Sequence, residues 1–139
     1  MKPTHIILHH SLTKDNQTVS WQAIRKYHVE INKWKDIGYH FGIELVNSEY
    51  EIIAGRMLLD IGAHTIGMND SSIGICIIGN YDINDLPKEA EKKLIILIKT
   101  LMVIFNISVT NIKKHSDYAK YKTCPGLKFP FDQIIKALT

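Results

Sequence analysis

Two residues that bind soft metals, His115 and Cys124, stand close together in the stretch KKHSDYAKYKTCPG near the C-terminus. A third candidate, His9, follows the apolar run IIL at the other end of the chain. Two imidazoles and one thiolate make a ligand set for zinc that leaves one tetrahedral position open to water. Structural zinc sites are closed by four protein ligands, whereas catalytic sites keep such an opening. Pro125 and Gly126 follow the cysteine directly and would hold it in a rigid turn.

Each candidate also has an ordinary reading. His10 adjoins His9, and neighbouring side chains of a strand point to opposite faces, so only one of the pair can enter a shared site. The pattern does not choose between them, and a strand-end histidine pair is as readily a hydrogen-bonded structural feature. His115 and Cys124 read equally as a loop histidine and a small buried hydrophobe. Lys122 argues for the metal reading, because a nearby cation favours the thiolate. Cys76, among Ile75, Ile77 and Ile78, reads instead as a packed core thiol.

Tyr39, in DIGYHF, is either a strand aromatic behind a helix-ending glycine or a hydroxyl aimed into a cleft. His64 and Asn69 bracket the loop HTIGMN, which is either a solvated connection or a ligand-contacting loop. Asp117 is placed either to orient the His115 ring or to sit on the surface.

With 139 residues the chain fits one domain, expected to span 1–139. Its 45% hydrophobic and 22% charged residues match a folded globular protein. A net charge of +3 suits an anionic surface but is too weak and scattered for nucleic acid. Two cysteines make no disulfide framework. Met1 runs almost directly into an apolar strand, so no signal peptide is expected. Nor is a membrane span, since Leu94–Val109 is short and interrupted by Lys99. Synthesis in a reducing cytoplasm follows, with another agent needed for any action outside it.

Strands are predicted at His5–His9, Phe41–Val46, Tyr50–Ala54, Ser72–Gly79 and near Ser108–Val109. Ser11 to Ser20 reads as a loop. Trp21, Ile24, His28 and Ile31 recur at helical spacing and predict a helix over 20–33. Pro87 marks the first turn of a second helix with a stripe of Ala90, Leu94, Leu97, Ile98, Leu101 and Phe105. Phe131, Ile134, Ile135 and Leu138 predict a last one. The fold class is α/β: a central mixed sheet with helices on its faces and a zinc site in a surface groove.

Taken in order, IILHHS, WKDIGYHF, GAHTIGMNDSSIGICIIGNY and KKHSDYAKYKTCPG resemble the zinc-dependent N-acetylmuramoyl-L-alanine amidases. That superfamily includes small bacteriophage lysis amidases and the animal peptidoglycan-recognition proteins. The similarity runs from about Ile6 to Phe131. It implies His9, not His10, as the first zinc ligand, with His115 and Cys124 as the others. It implies catalytic roles for Tyr39 and Lys122, and places His64 and Asn69 on the loop lining the substrate groove. The implied reaction cleaves the amide between N-acetylmuramic acid and L-alanine of peptidoglycan, with Lys122 and Tyr39 stabilising the oxyanion. The alternative is a binding-only module of the same fold. Such members usually lack the cysteine, and Cys124 is present. A monomer with peptidoglycan as its partner is expected. With no separate wall-binding domain evident, wall affinity would come from the groove.

Overall fold

The computed structural model describes residues 1–12 and 20–139, so most of the loop expected after Ser11 lies outside the described residues. Its sheet contains β1 (His5–His10), β2 (Phe41–Val46), β3 (Glu49–Ala54), β4 (Ser72–Ile77) and β5 (Ile112–Lys114). They lie in the order β3-β2-β4-β1-β5. β1 runs parallel to both β4 and β5, β2 runs parallel to β4, and β3 is antiparallel to β2. The helices are α1 (Trp21–Glu30), α2 (Lys88–Phe105) and α3 (Phe131–Leu138). The mixed sheet flanked by helices is therefore found as expected.

β1 and β4 are buried almost along their whole length because both faces of the sheet are covered, which their apolar centres IIL and IGICI suit. Alternation along β4 sends Ile73, Ile75 and Ile77 into the core formed with α2 and α3. Cys76 faces the other way, into a smaller cluster with Trp21 of α1, Ile37 and Ile78. Trp21 lies flat on Gly42 of β2, where a Cβ would come within 2.4 Å of its ring. That close approach is what lets α1 seat on the site face of the sheet.

On the opposite face, Ala90, Leu94, Leu97, Ile98 and Leu101 form the buried stripe of α2, and Phe105 is half-buried at its end. Each fully buried leucine or isoleucine there contributes about 1.5–3 kcal/mol relative to exposure. Pro87 stands just before the helix, its carbonyl accepting from the Glu91 amide at 3.0 Å.

Several boundaries differ from the sequence expectation: β1 runs one residue further, to His10, and β4 stops two residues earlier, at Ile77. The strand expected near Ser108–Val109 is instead a 3-10 turn, Val109–Asn111, because the Ser108 hydroxyl accepts from the Thr110 amide and caps it. The strand follows at Ile112–Lys114, where Ile112 pairs with Ile6. α1 ends at Glu30, short of Lys33, whose left-handed backbone (φ 60°) turns the chain away. Ile31, the last residue of the helical repeat read from sequence, lies just past the helix and is 64% exposed. The β2–β3 turn is tighter than expected: Asn47 and Ser48 alone make it, both at positive φ, as two-residue hairpins require.

Candidate metal centre and active-site groove

The β1–β5 register builds the site. Leu8 and Lys114 are partners in that parallel ladder, so the residues that follow them, His9 and His115, emerge side by side. Their ring centroids are 4.5 Å apart. His10 points to the opposite face, where its Nδ1 accepts from the Tyr81 amide at 3.1 Å. Strand alternation thus separates the histidine pair, and it is His9 that joins His115 and Cys124. His9 Nδ1 lies 3.8 Å from Cys124 Sγ, and the ligand atoms of all three residues lie within 4.8 Å of one another.

Cys124 reaches this point from a turn anchored on several sides. Its carbonyl accepts from the Ser116 amide at 2.9 Å, tying it to the chain just after His115. Its sulfur accepts from the His10 amide at 3.4 Å. Asp82 accepts from the Thr123 hydroxyl and from the Leu127 amide, both at 2.9 Å, and so brackets the turn. Gly126 (φ 126°) packs against the Tyr81 backbone so closely that a Cβ would come within 2.3 Å of it.

Burial holds the His9 imidazole well below its ordinary pKa, with the neighbouring His64 and His115 acting in the same direction. His115 is lowered to about 4, by burial first and then by the Lys122 charge. Both rings are therefore neutral, with lone pairs free for a metal. Burial pushes the Cys124 thiol up to about 11 and outweighs the His10 amide and Lys122, which favour the thiolate. The lysine effect anticipated from sequence is present, but burial outweighs it.

The geometry fits zinc. Bond lengths of roughly 2.0–2.3 Å at tetrahedral angles imply an N···S separation of about 3.6 Å. The 3.8 Å between His9 Nδ1 and Cys124 Sγ is close to that figure. Neutral nitrogens and a sulfur are also the donors that zinc prefers.

The Tyr39 ring lies 5.1 Å from that of His9, centroid to centroid, tilted by 56°. Burial raises the Tyr39 hydroxyl well above its usual pKa, so it remains a proton-bearing donor. Cys76 is fully buried, the packed core thiol expected. Lys122 is exposed and lines the cavity of about 520 Å³ that also holds His9, His115, Cys124 and Tyr39. A neighbouring cavity of about 450 Å³ is bordered by His64 and Asn69. The two share His115, Tyr121 and Lys122 and form one groove. Asn69 Oδ1 accepts from the amides of His64 and Thr65, each at 2.8 Å, and holds the loop closed. Asp117 is occupied elsewhere, accepting from the Lys114 amide at 2.8 Å, so it caps a turn instead of orienting the His115 ring.

The model of the N-acetylmuramoyl-L-alanine amidase family matches residues 1–127. The chain belongs to this family. Among curated relatives, the endolysin of Enterobacteria phage T3 is 35% identical over 127 residues, covering 87% of this chain and 79% of that protein. The endolysin of Escherichia phage T7 is 32% identical with the same coverage. Among solved structures, an endolysin N-acetylmuramoyl-L-alanine amidase from Clostridium intestinale superposes with a TM-score of 0.86 at 32% identity. That match covers 99% of this chain and 84% of the other. Drosophila PGRP-LB superposes with a TM-score of 0.79 at 27% identity, covering 96% and 81%. The chain is thus an N-acetylmuramoyl-L-alanine amidase, with the fold of the endolysins.

Sequence reasoning missed part of this amidase groove. Trp34, Tyr118 and Tyr121 also line it, together with Ile66 of the HTIGMN loop, which the sequence did flag. The tyrosines between His115 and Cys124 were a visible signal, since aromatic side chains in a loop beside a ligand pair commonly face a ligand. Asp82 carried no such signal, because its partners lie more than forty positions away.

Proposed function

We propose that residues 1–139 form one zinc-dependent catalytic domain. It hydrolyses the bond between N-acetylmuramic acid and L-alanine in cell-wall peptidoglycan. The observation that carries the zinc reading is the convergence of His9, His115 and Cys124 within 4.8 Å on the wall of a groove. Zinc held by these three would act as a Lewis acid, polarising the scissile carbonyl and activating water.

The chain's own residues do the rest. Lys122 and the Tyr39 hydroxyl, both lining the cavity with the ligand set, stabilise the charge that develops on the carbonyl oxygen. Lys122 acts as a cation at the groove surface. Tyr39 acts as a neutral donor from its buried edge. His64 and Asn69 shape the substrate side of the groove, with Asn69 fixing the loop through two backbone amides. Trp34, Tyr118 and Tyr121 give flat apolar surfaces against which a peptide stem or a sugar face packs.

The domain works as a monomer at the wall. The phage endolysins it resembles support action on the cell wall. Among the described residues no helix is long and apolar enough to cross a membrane. Incubating the protein with purified sacculi tests the reaction. New L-alanine amino termini should appear in step with clearing while glycan strands stay whole; new reducing sugar ends would contradict it.

A further inference from the structure

His64 borders the groove, yet both of its ring nitrogens are engaged inside the protein. Nδ1 lies 3.0 Å from His9 Nε2 and 3.0 Å from the Thr65 hydroxyl. Nε2 lies 3.5 Å from the Ser72 carbonyl oxygen and 3.5 Å from the Ser72 hydroxyl. His64 is only 9% exposed. Its slot is made by residues without side chains: a Cβ on Gly74 of β4, or on Gly62, would come within 2.6 Å of the His64 ring. Gly74 pairs with Ile7 and Cys76 with His9, so the slot lies directly beside the His9 side chain on the same sheet face.

We propose that His64 is the positioning residue for the metal ligand His9, an inference that rests on the zinc reading above. His64 Nδ1 accepts from His9 Nε2–H. This fixes His9 in the tautomer whose bare Nδ1 faces Cys124 and His115.

Proton order along the chain of contacts decides the direction. The Ser72 hydroxyl donates to the Met68 carbonyl at 2.6 Å. His64 Nε2 therefore faces acceptors and must itself carry a proton, which it donates to the Ser72 carbonyl. In a neutral imidazole the other nitrogen is then the acceptor. The Thr65 hydroxyl, 3.0 Å from His64 Nδ1 and 3.3 Å from His9 Nε2, can add one proton, but a bare His9 Nε2 would still set its lone pair against that of Nδ1 at 3.0 Å, so His9 Nε2 carries the proton. The reverse order, with His64 Nδ1 donating to His9, would set the lone pair of His64 Nε2 against a carbonyl oxygen. It would also place a proton on the His9 nitrogen that must bind metal. A ligand histidine whose second nitrogen is held in this way keeps its ring orientation and its basicity.

Two measurements test this. Nitrogen-15 NMR of the metal-free protein should find the His9 proton on Nε2, in a hydrogen bond that protects it from exchange with water. A proton on His9 Nδ1 would overturn the proposal. Zinc titrations against a competing chelator should then compare wild type with His64→Leu and His64→Asn. Leucine removes the acceptor and should weaken zinc binding roughly 10–100-fold, the usual effect of losing such a partner. Asparagine keeps an amide oxygen near the place of Nδ1 and should stay within a few-fold of wild type. Equal affinity in all three proteins would overturn the role while leaving the zinc reading intact. Failure of the wild type to bind zinc would overturn both. If His64→Leu does not fold, the wild-type tautomer and the asparagine variant still decide.

Discussion

Asp82 and Thr123 are joined by a 2.9 Å hydrogen bond from the threonine hydroxyl to Asp82 Oδ2. The other carboxylate oxygen takes the Leu127 amide, so one side chain grips both ends of the turn that presents Cys124. Asp82→Ala should free that turn, costing about 1–2 kcal/mol for the two lost bonds at a partly exposed site. Zinc affinity should fall with it, because the thiolate is no longer held in place. Thermal melts and zinc titration of the same preparation check both effects. An unchanged zinc affinity would show that the remaining anchors suffice.

Tyr39 and Lys122 border the ligand set without belonging to it. Tyr39→Phe and Lys122→Ala should therefore keep zinc, and each should lose roughly 10²–10³ in turnover, as for one oxyanion donor. The double variant should lose less than the product of the two if both act on one charge. Activity that falls only in step with lost metal would make these residues supports and not catalytic groups.

Arg56 is 8% exposed and donates to three backbone carbonyls, those of Ile37, Ile61 and Asp36. It thereby pins the segment leading into Tyr39 to the loop before His64. Arg56→Leu should cost on the order of 2–4 kcal/mol, since the carbonyls lose charged donors in a largely buried place. Arg56→Lys should recover only part, because an ammonium cannot span the three acceptors as a guanidinium fork does. Chemical denaturation of the metal-free protein gives the answer.

Acid should weaken the metal-free fold. Burial lowers His64 to about 3 from the ordinary 6.5, so the unfolded chain binds this proton more readily than the folded one. Stability contributed by the neutral ring is fully present above pH 6.5 and is lost as pH falls from there towards 3. The slope for one such group approaches about 1.4 kcal/mol per pH unit. His64→Asn should flatten that slope in denaturation measured between pH 6.5 and 4.5. An unaltered slope would mean that the other histidines account for it.

Much of this was readable in the chain because it is local. The runs of β1 and β4, the α2 stripe and the β2–β3 hairpin follow from periodicity, although its turn closes one residue tighter than the pattern suggested. His115 and Cys124 stood out as ligand types close in sequence, although the choice of His9 over His10 needed family resemblance. What stayed hidden depends on distant pairing. Thr123 meets Asp82, and His64 meets His9, only because β4 lies beside β1 and the Cys124 turn folds back over its end. The 3-10 turn at Val109–Asn111 was missed for a smaller reason: a serine cap outweighed a β-branched pair.

The most direct test of the zinc centre compares Cys124→Ser with Cys76→Ser. Each protein is stripped with chelator, reloaded with zinc, and assayed by elemental mass spectrometry beside release of L-alanine amino termini from sacculi. Wild type and Cys76→Ser should hold about one zinc per chain and regain activity, as a single three-ligand site requires. Cys124→Ser should lose both, because a hydroxyl is a far poorer ligand for zinc than a thiolate. Full zinc and activity in Cys124→Ser, or full activity in the stripped wild type, would contradict the account.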